Sequence, residues 1–155
     1  MTAIEIIDFE PRYAEAFQRL NREWLEKYFR VEPIDEVVLS DPQGKVIDDG
    51  GAILFARVGD DIVGTVALKH QGAGVFELTK MAVTAHAQGA GVGTALLCAA
   101  IGRYGSEGGC RLYLESHSSL ATALSLYETA GFVHSERPAP SEYDRSDVYM
   151  VYRPG

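Results

Sequence analysis

Between Met81 and Thr94 the chain reads M-A-V-T-A-H-A-Q-G-A-G-V-G-T: an apolar run, a stretch of small residues with three glycines, then a helical pattern. Glycines let successive N–H groups turn toward one point, and a following helix adds roughly half a positive charge at its N-terminus. Such a turn binds phosphate or pyrophosphate without needing a basic side chain. A nucleoside triphosphate loop of the Walker type requires G-x-x-x-x-G-K-[ST], and the sequence has no Gly-Lys-Ser/Thr. A dinucleotide fingerprint, G-x-G-x-x-G, begun at Gly89 would need a glycine where Thr94 stands. It also opens a parallel βαβ unit, whereas antiparallel-looking strands precede this turn. The third pattern, Q/R-x-x-G-x-G/A, is met in full by Gln88-Gly89-Ala90-Gly91-Val92-Gly93. A plainer reading also stands: a glycine turn that only links strand to helix.

The elements that must position this turn follow from patterning. Ala3–Asp8 is β-prone, and Pro11 suits a helix start. Tyr13, Phe17, Leu20, Trp24 and Tyr28 form the stripe of an amphipathic helix, with Glu15, Arg19, Arg22 and Glu26 left for solvent. Pro33 interrupts it, and Ile34–Leu39 reads as a second short helix. Residues 40–44 and 48–51 are turn clusters. Ala52–Val58 and Ile62–Leu68 read as a hairpin, and Val75–Val83 as a further strand. The spacing predicts a helix over Thr94–Tyr104 with Leu97, Ile101 and Tyr104 on one face, and a strand over Cys110–Ser116. A helix over Leu120–Ala130, capped by Ser118 or Ser119, comes next. Strands at Phe132–Glu136 and Val148–Arg153 flank a proline-containing loop, Arg137–Asp147. No repeat or linker interrupts the 155 residues, so one mixed α/β domain over residues 1–155 is expected.

Charge narrows the partners. Fourteen Lys and Arg against 22 Asp and Glu give −8, with no basic run, which disfavours nucleic acid and anionic membrane surfaces. No apolar stretch is long enough to span a bilayer. Met1–Glu5 has no basic region, so no signal peptide is expected. Two cysteines, Cys98 and Cys110, make no disulfide framework, and a reducing cytoplasm is the expected setting. Cys98, inside an apolar helical run, reads as a packing residue. His70, His86, His117 and His134 lack metal-ligand spacing, so no metal is expected.

A second motif lies downstream of the glycine turn. Ala123-Leu124-Ser125-Leu126-Tyr127-Glu128-Thr129-Ala130-Gly131-Phe132 is similar to the A-x-x-L-Y-E-x-x-G-F segment of the GNAT superfamily of N-acetyltransferases, whose acetyl-CoA site carries the Q/R-x-x-G-x-G/A pattern. Phe76–Val83 resembles that family's fourth strand. The resemblance implies a mixed, mostly antiparallel central sheet flanked by helices and splayed between its fourth and fifth strands. It implies direct acetyl transfer from acetyl-CoA to a primary amine of a small molecule or peptide, through a tetrahedral intermediate. The backbones of Met81, Ala82 and Val83 would meet the pantetheine arm, with the N–H near Met81 facing the thioester carbonyl. Gln88, Gly89, Ala90, Gly91, Val92, Gly93 and Thr94 would meet the pyrophosphate. An asparagine common before the second motif is replaced by the stretch Ser116–Leu120, where Ser118 or Ser119 would have to substitute.

Tyr127 takes the place of the family's acid, which protonates the departing thiolate. Its helical spacing with Leu120, Ala123 and Leu124 equally fits a core residue. An attacking amine must be neutral, and Glu77 is the candidate base, acting through water. Strict strand alternation would put it on one face with Thr79, Met81 and Val83. A solvated or ion-paired glutamate is the other reading. The acceptor site would be walled by Trp24–Asp35 and Ser141–Asp147, with Tyr28, Glu32, Tyr143 and Arg145 as candidate contacts. A homodimer is compatible with the sequence. An acyl-CoA-binding sensor with the same fold and no turnover is the alternative function.

Overall fold

Ile53 and Phe55 of β2 (Ala52–Val58) enter one apolar cluster, and Ala52, Leu54 and Ala56 enter another. A strand buried on both faces must lie inside a sheet covered on both sides. In the computed structural model, which describes residues 3–154, that sheet has seven strands. They are β1 (Ile4–Asp8), β2, β3 (Asp61–His70), β4 (Val75–Val83), β5 (Arg111–Ser116), β6 (Phe132–His134) and β7 (Val148–Tyr152). Their order is β1-β2-β3-β4-β5-β7-β6, and every pairing is antiparallel except the parallel β4–β5 pair.

Helix α1 (Ala14–Tyr28) follows a single helical turn that opens at Pro11, and it lies with α2 (Pro33–Leu39) over one face. Helix α3 (Val92–Ser106) covers β1 through β4 on the other face, and α4 (Ala121–Ala130) packs on β6. Gly64 of β3 permits the close approach of α3: a Cβ there would stand 2.9 Å from a Leu96 methyl and 3.0 Å from one of Val92. Among the described residues no helix is long and apolar enough to cross a membrane.

Three local expectations change. Residues 43–47, read partly as a turn, form a wide helical turn, because Asp41 accepts the Gly44 N–H at 3.0 Å and Val46 is fully buried against Phe17 and Phe55's cluster. Neither Ser118 nor Ser119 caps α4. Ser118 instead gives its N–H (2.8 Å) and hydroxyl (2.7 Å) to Asp147, and the Ser119 N–H goes to His117 Nδ1. Cys98 is exposed rather than packed, since α3 turns Leu96, Leu97 and Ala100 to the core.

Candidate active site

The site begins where the sheet comes apart. Strand β4 pairs with β5 over only three positions, Val75↔Arg111, Phe76↔Leu112 and Glu77↔Tyr113. Beyond Glu77 the two strands diverge, although β4 stays on β3 to Val83 and β5 stays on β7 to Ser116. The wedge so opened is lined by Glu77, Thr79, Met81, Leu114, Tyr127 and Tyr143, among others.

A bulge in β4 determines what faces that wedge. Thr65 pairs with Ala82 and Ala67 with Thr79, so Lys80 and Met81 together oppose Val66. Lys80 takes φ +54°, a left-handed conformation that is rare for a side-chain-bearing residue in a strand. The extra residue reverses the alternation. Glu77 and Thr79 stand on the α1–α2 face, whereas Met81 and Val83 pack on the α3 cluster with Leu78 and Phe76. The expectation that Glu77, Thr79, Met81 and Val83 share one face is therefore corrected.

Buried charges fix the bulge. Lys80 Nζ donates to Asp35 Oδ1 at 2.6 Å, and the two side chains are 3% and 0% exposed. Arg145 grips the same carboxylate with two 2.8 Å bonds and reaches Glu32 at 2.9 Å. Asp35 also accepts the Glu32 N–H at the start of α2. Both cations also lie against the Tyr143 ring, whose centroid is 4.9 Å from Lys80 Nζ and 4.7 Å from the Arg145 guanidinium. Burial works to raise the Asp35 carboxyl, but the Arg145 bonds and the Lys80 charge overcome it and hold it at about 2. Burial lowers Lys80 against the pull of Asp35. Neither Asp35 nor the tie to Lys80 was among the expected site residues; the sole hint was a lysine inside a mostly buried strand.

On one side of the wedge runs a cleft lined by Met81, Ala82, Val83, Gln88, Gly89, Gly91, Gly93 and Thr94, facing Ala123, Leu126 and Tyr127 of α4. None of the N–H groups from Gly89 to Thr94 has an acceptor among the described residues; the first bonded one is Ala95, which donates to Gly91 O at 3.0 Å. Gly89 and Gly91 have φ +83° and +85°, and a Cβ on either would meet nothing within 4 Å. The cradle is thus open and donor-rich, which fits a pyrophosphate. Gln88 uses its side chain to bond Val83 O at 3.1 Å, tying the loop to the strand end. Val92 is buried in the core, and neither it nor Ala90 lines the cleft. Trp24 and Tyr28 form the opposite rim, their rings 5.2 Å apart. Tyr28, expected at the acceptor, stands here because the buried stripe of α1 drifts to Asn21 and Leu25 and leaves it exposed.

Tyr127 borders both wedge and cleft. Its ring packs edge-on against Phe132. Burial raises the phenol to about 12, so it stays protonated. Glu77 is 6% exposed and touched by the Gln71 amide at 3.3 Å, with no ion-pair partner among the described residues. Burial, followed by the charge of Glu115, lifts it to about 7. A groove continues past Glu77 on the α2 side, bordered by β5 and loop residues 137–143. Tyr143 lines both wedge and groove, and Arg145 lines the wedge while pairing with Glu32, which lines neither. The arrangement can hold an anionic cofactor on one side, present a protonated phenol and a titratable carboxyl between, and admit a second molecule from the other.

Solved structures share this architecture. A GNAT-family acetyltransferase from Staphylococcus aureus Mu50 superposes with a TM-score of 0.87 at 21% identity, over 97% of this chain and 98% of that one. PaiA N-acetyltransferase from Thermoplasma acidophilum, in complex with coenzyme A, gives 0.77 at 18%, over 97% and 99%. The ribosomal-protein-S18-alanine N-acetyltransferase of Escherichia coli gives 0.75 at 20%, over 97% and 93%. Among curated protein sequences none matches. The model of the acetyltransferase (GNAT) family matches residues 13–132, most of the length. The chain belongs to the GNAT family of acetyltransferases.

Proposed function

We propose that this chain is an acetyl-CoA-dependent N-acetyltransferase acting on a primary amine of a small molecule or peptide. One observation carries the reading: unpaired N–H groups over Gly89–Thr94 and a wedge bordered by both Tyr127 and Glu77 form one continuous path through the sheet. Acetyl-CoA would supply an acetyl carbon bonded to a sulfur that leaves readily once protonated. Gly89, Gly91, Gly93 and Thr94 hold the pyrophosphate, and the free edge of Met81–Val83 lies along the pantetheine arm. A backbone N–H near Met81 steadies the oxygen on which negative charge grows, worth a few kcal/mol.

Two protons must move. Glu77 takes the first from the incoming ammonium, through water, and passes it to solvent. The nitrogen lone pair then forms the C–N bond as the carbonyl π pair moves onto oxygen, and collapse of that tetrahedral intermediate breaks the C–S bond. Tyr127 gives its proton to the sulfur, and the second proton of the nitrogen restores the phenol. The products are an acetamide and a free thiol, with one proton released. The chain works as one domain, and its two free, exposed cysteines suit a reducing cytoplasm.

Calorimetric titration with acetyl-CoA, with NAD as the control, followed by thiol release across an amine panel, tests this. Selective saturable binding with thiol release supports it. Binding without release on any amine would make the protein an acyl-CoA sensor, and no binding would leave the glycine turn as scaffold.

A further inference from the structure

The groove beyond Glu77 carries a charge pattern unlike that of the chain as a whole. Its floor is the α1–α2 face of the sheet, where Lys69, Glu77 and Tyr113 stand in register across β3, β4 and β5, and Arg111 stands opposite Val75. Most cations of this protein are paired: eight of its 14 Lys and Arg form ion pairs among the described residues. In the groove itself Lys80 answers Asp35 and Arg137 answers Glu115. Lys69 and Arg111 have no carboxylate partner among the described residues; Arg111 donates only to the Tyr149 hydroxyl, at 2.7 Å. Two unpaired cations therefore flank β4, Lys69 on the β3 side directly opposite Glu77 and Arg111 on the β5 side at the end of the groove away from the wedge, in a molecule of net charge −8. Glu142, on the exposed rim, is the remaining unpaired carboxylate beside Glu77.

Between Arg111 and the wedge the floor is aromatic. Tyr113 and Tyr149 stack at 5.4 Å with an interplanar angle of 24°, offering a flat apolar surface to a hydrocarbon chain. Strand spacing and rise put the Arg111 position about 8 Å from that of Glu77.

Resting on the acetyltransferase reading, we propose that the acceptor is a small amino acid whose carboxylate is held by Lys69 and Arg111 while its distal amine reaches Glu77. A diamine or polyamine would set a second cation against Lys69 and Arg111 and is rejected. An ω-amino acid matches both ends and lays its methylenes on Tyr113 and Tyr149.

The test compares 6-aminohexanoate, 1,6-diaminohexane and hexylamine, three acceptors of one chain length that differ at the far end. Calorimetry in the presence of coenzyme A reads binding without turnover, and thiol release from acetyl-CoA reads kcat/KM. The expected result is that 6-aminohexanoate binds, and is acetylated, about tenfold or more better than hexylamine, with the diamine poorest. In Lys69→Met/Arg111→Met protein, shown by thermal melting to be folded, that preference falls to near one, and salt weakens it in the unaltered protein. Equal or better handling of hexylamine or the diamine overturns the inference while leaving acetyl transfer standing. A preference that survives the double substitution also overturns it. Preferred binding of 6-aminohexanoate without thiol release supports the carboxylate site and refutes the acetyltransferase reading instead.

Discussion

Tyr127 and Glu77 sit in environments that separate their roles. A phenol held protonated near 12 enters the reaction as a proton donor, whereas a carboxyl lifted to about 7 changes state in the range where enzymes work. Tyr127→Phe should lower kcat about 10²-fold and leave acetyl-CoA affinity within the error of calorimetry, because the ring and its packing on Phe132 remain. Since the base must be ionised, kcat/KM for the amine should rise with pH through about 7, and Glu77→Gln should remove that limb and most of the activity. The same carboxyl affects stability. Its folded value lies above its unfolded value, so its contribution is greatest below about 4.5 and is lost as pH rises through about 7. Thermal melts of Glu77→Gln should therefore show a flatter decline over that range. Tyr127 was picked from a contiguous motif and Glu77 from a strand alternation that the bulge breaks, yet both border the wedge. Asp35 was not legible in the sequence, because its partners Lys80 and Arg145 are 45 and 110 residues away and only the fold joins them.

At the level of elements, the bulge in β4 and the glycine turn hold the site's geometry. Asp35 ties α2, the bulge and the loop before β7 together. Asp35→Asn leaves Lys80 buried without its counter-charge, at a cost of ~3–5 kcal/mol. For a chain of this size that lowers the melting temperature by roughly 6–20 °C. Adding Lys80→Met should recover part of it, a coupling that a double-mutant cycle reads directly. Because the Asp35 value is depressed, its contribution is present above about 4 and lost as pH falls toward about 2. At the turn, Gly91→Val forces a β-branched side chain into φ +85° and into the cleft, and acetyl-CoA affinity should fall about tenfold or more by calorimetry. Element order and most boundaries followed from periodicity and turn residues. The parity of β4 did not, because a bulge is decided by what neighbouring elements demand of one residue. The caps of α4 misled for a related reason: Ser118 had a better acceptor in Asp147, 29 residues on.

Taken whole, the molecule is an anion that, on the proposed reading, must receive an anion. Its charge of −8 opposes coenzyme approach from a distance, and the N–H cradle acts only at contact. Raising salt from ~0.01 to ~0.1 M should therefore speed association. Trp24, the sole tryptophan, lies on the cleft rim and supplies the stopped-flow fluorescence signal that checks this. The parallel junction has a mechanical consequence. Three residue pairs are the whole β-ladder between a four-stranded wing, β1 to β4, and a three-stranded wing carrying α4. A ligand seated in the wedge presses on both wings and acts as mortar across a short seam. Amide hydrogens of β5 and β7, remote from the glycine turn in sequence, should then exchange with deuterium more slowly once the coenzyme is bound.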